Sequence, residues 1–148
     1  MKNLIILFTL FVACIQNKSE DFRLAALNPV TYEFKAGEHK NRIDYFYAEG
    51  HFSYTPSDYE KLKQKINEKT ASVDLKSYQL YSVYIYKETD VVNRKYTGGK
   101  TGLDGHNNDL IAYIRYNQGT MDIFYITEKG NVIYDMLSGK EERFEFDQ

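Results

Sequence analysis

The stretch Leu110–Leu137, LIAYIRYNQGTMDIFYITEKGNVIYDML, decides the fold class. Leu110, Ala112, Ile114 and Tyr116 alternate with Ile111, Tyr113 and Arg115, the period-two pattern of a strand partly covered on both faces. Thr120–Thr127 and Val132–Leu137 continue in β-branched and aromatic residues. Gln118-Gly119 and Glu128-Lys129-Gly130-Asn131 separate these runs, each with the glycine a tight hairpin favours. The stretch therefore reads as an antiparallel meander.

Upstream, Ser77–Glu88 sets Leu80, Tyr84 and Tyr86 against Tyr81, Val83 and Ile85, a further strand. One helix precedes it. Thr55 can cap, Pro56 suits the first helical position, and Asp58 stands three residues after Thr55 like the acid of a capping box. Tyr59, Leu62 and Ile66 then recur at helical spacing while Lys61, Lys63, Lys65 and Lys69 face water, and the helix ends near Thr70. Before it, Arg42–Tyr54 reads as a strand with Ile43, Tyr45 and Tyr47 on one face, and Phe46, Phe52 and Tyr54 on the other after a bulge near Gly50. Val30–Lys35 offers a first short strand. In the charged tail Gly139–Gln148, Phe144 and Phe146 alternate with acids, which allows an edge strand.

The expected fold is α+β: an antiparallel sheet of about five to six strands with one helix packed on it, in the order β-β-α-β-β-β-β. In layout it resembles the cystatin and nuclear-transport-factor architectures, a likeness that transfers no function. A chain of 148 residues supports one core and not two convincing domains. The domain is expected to occupy 29–148.

The segment Thr89–Asp109 reads as one long loop holding four of the nine glycines, and loops of this length tend to be functional or disordered. Gly99-Lys100-Thr101 looks like the end of a phosphate-binding loop, but position 94, where that motif needs glycine, is Arg, and a strand follows where a helix is required. Asp104, His106, Asn108 and Asp109 are candidate ligands, and Asp104 with Asn108 matches part of a calcium loop. That loop's sixth-position glycine is Asp109 here, and no Glu stands at its twelfth, so a flexible polar turn is the preferred reading. Asp104, His106 and Asn108 stay as candidate binding residues, and no metal or other cofactor is expected.

No enzyme is expected either. His39, His51 and His106 lie far apart, Glu49 beside His51 reads as a strand neighbour, and neither a Gly-x-Ser-x-Gly elbow nor a His-Glu-x-x-His pair occurs. The chain carries 14 Tyr and 9 Phe with no Trp. Tyrosine gives large amphipathic contact area at low entropy cost, which suits a binding face, although the rings also suit simple cover for a sheet.

The N-terminus adds an address. Met1-Lys2-Asn3 is followed by an apolar run from Leu4 to Ala13, broken only by Thr9, and then by Cys14, the one cysteine. The run suits the h-region of a secretory signal and falls short of the ~18–20 apolar residues of a spanning helix. Leu10-Phe11-Val12-Ala13-Cys14 resembles the lipobox of a bacterial lipoprotein signal peptide, with Phe11 where the usual pattern has Leu. The resemblance implies a signal peptide at 1–13, cleavage before Cys14, and Cys14 as a diacylated N-terminus bearing palmitate-type chains. An ordinary signal peptide or an uncleaved anchor are the alternatives. Two acyl chains hold a protein on a membrane that one would leave, at about 0.8 kcal/mol per buried methylene.

Residues 14–28 then form the lipidated Cys and a polar tether. Within it, Ser19-Glu20-Asp21 looks like a short signal for display on the outer face of the outer membrane, though a solvated linker is the preferred reading. Loss of 1–13 removes one Lys and takes the formal charge from −2 to −3, with no basic stripe, so nucleic acid is not an expected partner. The expectation is a non-enzymatic cell-envelope lipoprotein held by its lipid, with the outer membrane first and either face of it open. It is expected to bind a protein or a small ligand through the sheet face. The alternative is a periplasmic immunity protein that neutralises an interbacterial toxin.

Overall fold

The computed structural model describes residues 21–146; the signal segment, the lipobox with Cys14 and the tether through Glu20 lie outside the described residues. Seven strands form one sheet in sequence order: β1 (Arg23–Ala36), β2 (His39–Glu49), β3 (Leu80–Lys87), β4 (Leu110–Asn117), β5 (Thr120–Glu128), β6 (Asn131–Asp135) and β7 (Lys140–Glu145). The main helix, α1 (Pro56–Thr70), joins β2 to β3, and a short α2 (Gly99–Leu103) lies between β3 and β4. Among the described residues no helix is long and apolar enough to cross a membrane.

Local signals place α1 and the hairpins. The Thr55 hydroxyl accepts from the Asp58 amide at 3.2 Å, and the Asp58 carboxylate accepts from the Ser53 amide at 2.7 Å, so both capping residues act. Leu62 and Ile66 are fully buried against the sheet. Gln118-Gly119 and Lys129-Gly130 each have positive φ at both residues, the geometry of a two-residue hairpin turn matched to strand twist.

Three expectations need correction. The sheet is mostly but not wholly antiparallel: β2 and β3 run parallel, from Asn41 opposite Leu80 to Ala48 opposite Lys87. The reason is α1. It carries the chain back across the sheet, so β3 enters from the same end as β2. The first strand begins at Arg23, inside the expected tether of 14–28, because Phe22, Leu24 and Leu27 are buried apolar side chains. And β2 stops at Glu49, so Phe52 and Tyr54 belong to the turn into α1; Gly50 there has φ +99° and passes close to the Phe22 backbone. The tail does form the edge strand its alternation allowed: β7 pairs with β6, Phe144 opposite Val132.

The sheet has a core on each face. Beneath α1 lie Leu24, Phe46, Val83, Ile85, Ile114 and Phe124 with their neighbours. On the opposite face the segment between β3 and β4 contributes Val92, Tyr96 and Leu103, packed with Leu27, Tyr47 and Tyr86. The expected loop is thus largely built structure. The Tyr96 hydroxyl donates to the Gly99 carbonyl at 2.7 Å, and a Cβ on Gly98 would stand 2.7 Å from that hydroxyl, which accounts for the glycine there.

Strand β1 is pinned by one buried acid. Asp44 is 3 % exposed. It accepts from the Thr31 hydroxyl at 2.7 Å, from Arg42 Nε and Nη2 at 3.1 and 3.0 Å, and from the Tyr81 hydroxyl at 2.7 Å. These bonds tie β1, β2 and β3 together beside a register shift between Ala26 and Thr31. Asp44→Ala should lower unfolding free energy by about 3–5 kcal/mol, since it strands the buried donors. Tyr81→Phe, which removes one donor and keeps the ring, should cost about 1–3 kcal/mol. Urea titration followed by circular dichroism measures both; equal, small effects would show that the cluster does not hold β1.

Candidate functional site

Register turns the tyrosine excess into a pattern. Tyr45 stands opposite Tyr84, Tyr84 opposite Tyr113, and Tyr113 opposite Tyr125, so one row of tyrosines crosses β2, β3, β4 and β5 on the face away from α1. With strands about 4.8 Å apart, the row spans about 14 Å. Ring centroids are 5.5 Å apart for Tyr45–Tyr84 and 4.8 Å for Tyr84–Tyr113. Phe146 lies 5.1 Å from Tyr113, and Phe144 meets Tyr125 edge-on at 5.5 Å. Tyr45 is buried, whereas Tyr84, Tyr113 and Tyr125 are half-buried and open to solvent on one side.

The register shift in β1 extends this surface. Upstream of it Leu24 faces α1; downstream Thr31 and Glu33 face α1's side, and Tyr32 and Phe34 turn to the tyrosine face, with Tyr32 opposite Ile43. Their rings are 5.7 Å apart and stay 44 % and 38 % exposed; Phe144, at the other edge, is 44 % exposed. Contiguous exposed rings of this kind mark interaction surfaces more often than isolated ones do.

A pocket of about 280 Å³ opens where α2 leans over the row, floored by Ile43, Tyr45, Tyr84 and Tyr86 and closed by Leu103, with Lys100 and Asp104 lining it. Burial, and then the Asp104 charge, push the Tyr45 hydroxyl up to about 12. Burial and the neighbouring Tyr113 hold Tyr84 above the usual tyrosine range as well. These hydroxyls are neutral near pH 7, and they offer hydrogen bonds without charge.

The sequence candidates separate here. Asp104 lines the pocket. His106 turns instead to Asp109, with Nδ1 3.0 Å from Oδ2, and Lys87 Nζ reaches the other oxygen of Asp109 at 3.1 Å. Asn108 lies beside the β5–β6 turn, its Oδ1 3.1 Å from where a Cβ on Gly130 would stand. In place of a flexible polar turn, residues Asn107–Asp109 make one 3-10 turn leading straight into β4. Glu49 pairs with Arg23, and His51 is exposed. Among the described residues no group of three or more His, Cys, Asp or Glu is placed to hold a metal ion.

Comparison with protein-family models, with curated proteins and with solved structures finds no match.

The ion cluster at Asp109 gives a pH test. Burial alone would raise its pKa, but the His106 and Lys87 contacts outweigh that and hold it below the ordinary aspartate value of 3.8. A depressed acid contributes stability that is full above its unfolded pKa and is lost as pH falls through the folded value. Asp109→Asn should therefore be less acid-sensitive than the parent between about pH 5 and 2, with the mutational cost largest at neutral pH. Thermal melts across that range test it; parallel acid limbs would show that Asp109 carries none of the dependence.

Proposed function

We propose that the chain is a lipid-anchored bacterial envelope protein whose folded domain binds a partner protein through the tyrosine face and performs no chemistry of its own. The row Tyr45–Tyr84–Tyr113–Tyr125 carries the reading. Beside buried Tyr45, the half-buried Tyr84, Tyr113 and Tyr125, flanked by exposed Tyr32, Phe34 and Phe144, form a broad surface with an apolar body and polar tips, the composition favoured at protein interfaces. Its breadth favours a protein over a small ligand: the row continues well past the 280 Å³ pocket, across to β5 and β7. An immunity protein is one form of this reading, in which the partner is a toxin; a sibling strain's toxin killing the deletion mutant, and sparing the complemented one, is the outcome that form requires.

The address rests on residues 1–14, whose run and lipobox-like end supply both export and anchorage. The outer membrane is the proposed site, with the domain facing the periplasm or the exterior. Cys14→Ala should leave the domain folded and move it from the membrane fraction to the soluble envelope fraction. Retention of the mutant on the membrane would overturn the lipid anchor.

The binding face is tested separately, by a photoreactive phenylalanine analogue placed in living cells. At position 113 it should yield a discrete adduct that Tyr84→Ala abolishes; at position 63, on the exposed side of α1, it should yield none. Adduct at both positions, or at 63 alone, would sink the tyrosine face as the interface.

A further inference from the structure

A groove lies on the other side of the sheet, and the geometry points to a binding site there for an organic ammonium cation, held by the rings of Tyr54, Tyr59 and Tyr134 with the carboxylates of Glu128 and Glu141. This groove, about 740 Å³, opens between the start of α1 and strands β5, β6 and β7. Three tyrosines from three different elements converge on it. Tyr59 and Tyr134 pack with ring centroids 5.2 Å apart, and Phe52 stands behind both Tyr54 and Tyr59, at 4.9 and 6.3 Å.

Tyr54 reaches the groove at a cost. Its φ is +56°, a left-handed conformation that a bulky side chain rarely adopts. Such strain persists where surrounding structure enforces it, and such residues cluster at ligand clamps. Here the enforcing contacts are the T-shaped packing on Phe52 and the Thr55–Asp58 cap that follows directly.

The sign of the ligand follows from the three aromatic rings that line the groove. Charges of both signs border the groove: Glu128 and Glu141, Lys129 and Arg143. After burial, Glu128 is the leading influence raising both Tyr54 and Tyr59. The positive end of the α1 dipole is already answered by Asp58, bound to the Ser53 amide. Aromatic faces attract cations through their quadrupole, and nearby carboxylates add to that attraction, so an alkylated ammonium fits where an anion does not.

The test is calorimetric titration of the full chain, in a non-ionic detergent, with choline and with 3,3-dimethylbutan-1-ol, which has the same shape with carbon in place of the charged nitrogen. Choline should bind at least about tenfold more tightly than the neutral analogue. Glu128→Gln, an exposed and conservative change, should weaken choline by about tenfold, and Tyr59→Phe, which keeps the ring, should not. Competition by phosphatidylcholine vesicles would identify a lipid headgroup as the source of the cation, and absence of competition a free one. Equal affinity for the two probes, unchanged choline binding in Glu128→Gln, or binding of methyl β-glucoside in place of choline would each overturn the assignment.

Discussion

The buried carboxylate of Asp44 is the constraint on which the surface of this protein depends. Burying an anion is costly unless its lone pairs are answered, and here Thr31, Arg42 and Tyr81 answer them from three adjacent strands. The consequence is geometric. Between Ala26 and Thr31 the first strand advances five positions while its partner advances two, from Phe46 to Asp44, so β1 gains an odd number of residues. An odd gain exchanges the two faces of a strand. By fixing Thr31 on the α1 side, Asp44 sends Tyr32 and Phe34 to the tyrosine face. A solvent-facing aromatic edge is thereby produced by a hydrogen bond on the opposite side of the sheet.

The two faces are covered in different ways, and tyrosine suits the difference. A regular helix seals one side, where Leu62 and Ile66 are fully buried over a mixed aliphatic and aromatic core. The other side receives only the irregular segment from β3 to β4, which reaches Tyr47 and Tyr86 and leaves Tyr84, Tyr113 and Tyr125 half-covered. Phenylalanine there would leave an apolar patch open to water. Tyrosine keeps the ring contacts along the row and gives the wet edge a hydroxyl, as where Ser82 and Tyr113 share a hydrogen bond at 3.3 Å. Partial cover thus leaves an aromatic surface whose open edge carries hydroxyls.

What could be read from the sequence was local. Thr55, Pro56 and Asp58 announce α1 because capping acts over three residues, and Gln118-Gly119 and Lys129-Gly130 announce hairpins because a two-residue turn requires positive φ at both positions. Strand partners were not legible. Alternation shows that Tyr45 and Tyr84 each prefer a face, but only register places them opposite one another, and the parallel pairing that does so depends on where α1 crosses. Val92, Tyr96 and Leu103 carry no period because an irregular segment meets the sheet at irregular points, so a packed cover looked like a polar loop. Of the candidates, Asp104 reached a pocket, while His106 and Asn108 were drawn off to Asp109 and to the β5–β6 turn. Tyr54 was hidden for another reason: composition gives no sign of a strained backbone, and alternation assigned it to a strand that ends five residues earlier, at Glu49.

The early start of β1 narrows what the proposed anchor permits. If Cys14 carries the lipid, only residues 15–22 separate it from the strand at Arg23, a span of at most about 3.5 Å per residue and so under about 30 Å in all. A long tether would let the domain search the envelope; the proposed one would keep it within about its own diameter of the bilayer. Lys61 and Lys65 of α1 pair with Asp21, so the helix side is drawn toward the tethered end, while the tyrosine row lies on the far face of the sheet. On the proposed anchor, a partner engaged by that row would be met on the side of the domain away from the tethered end, within reach of this short tether.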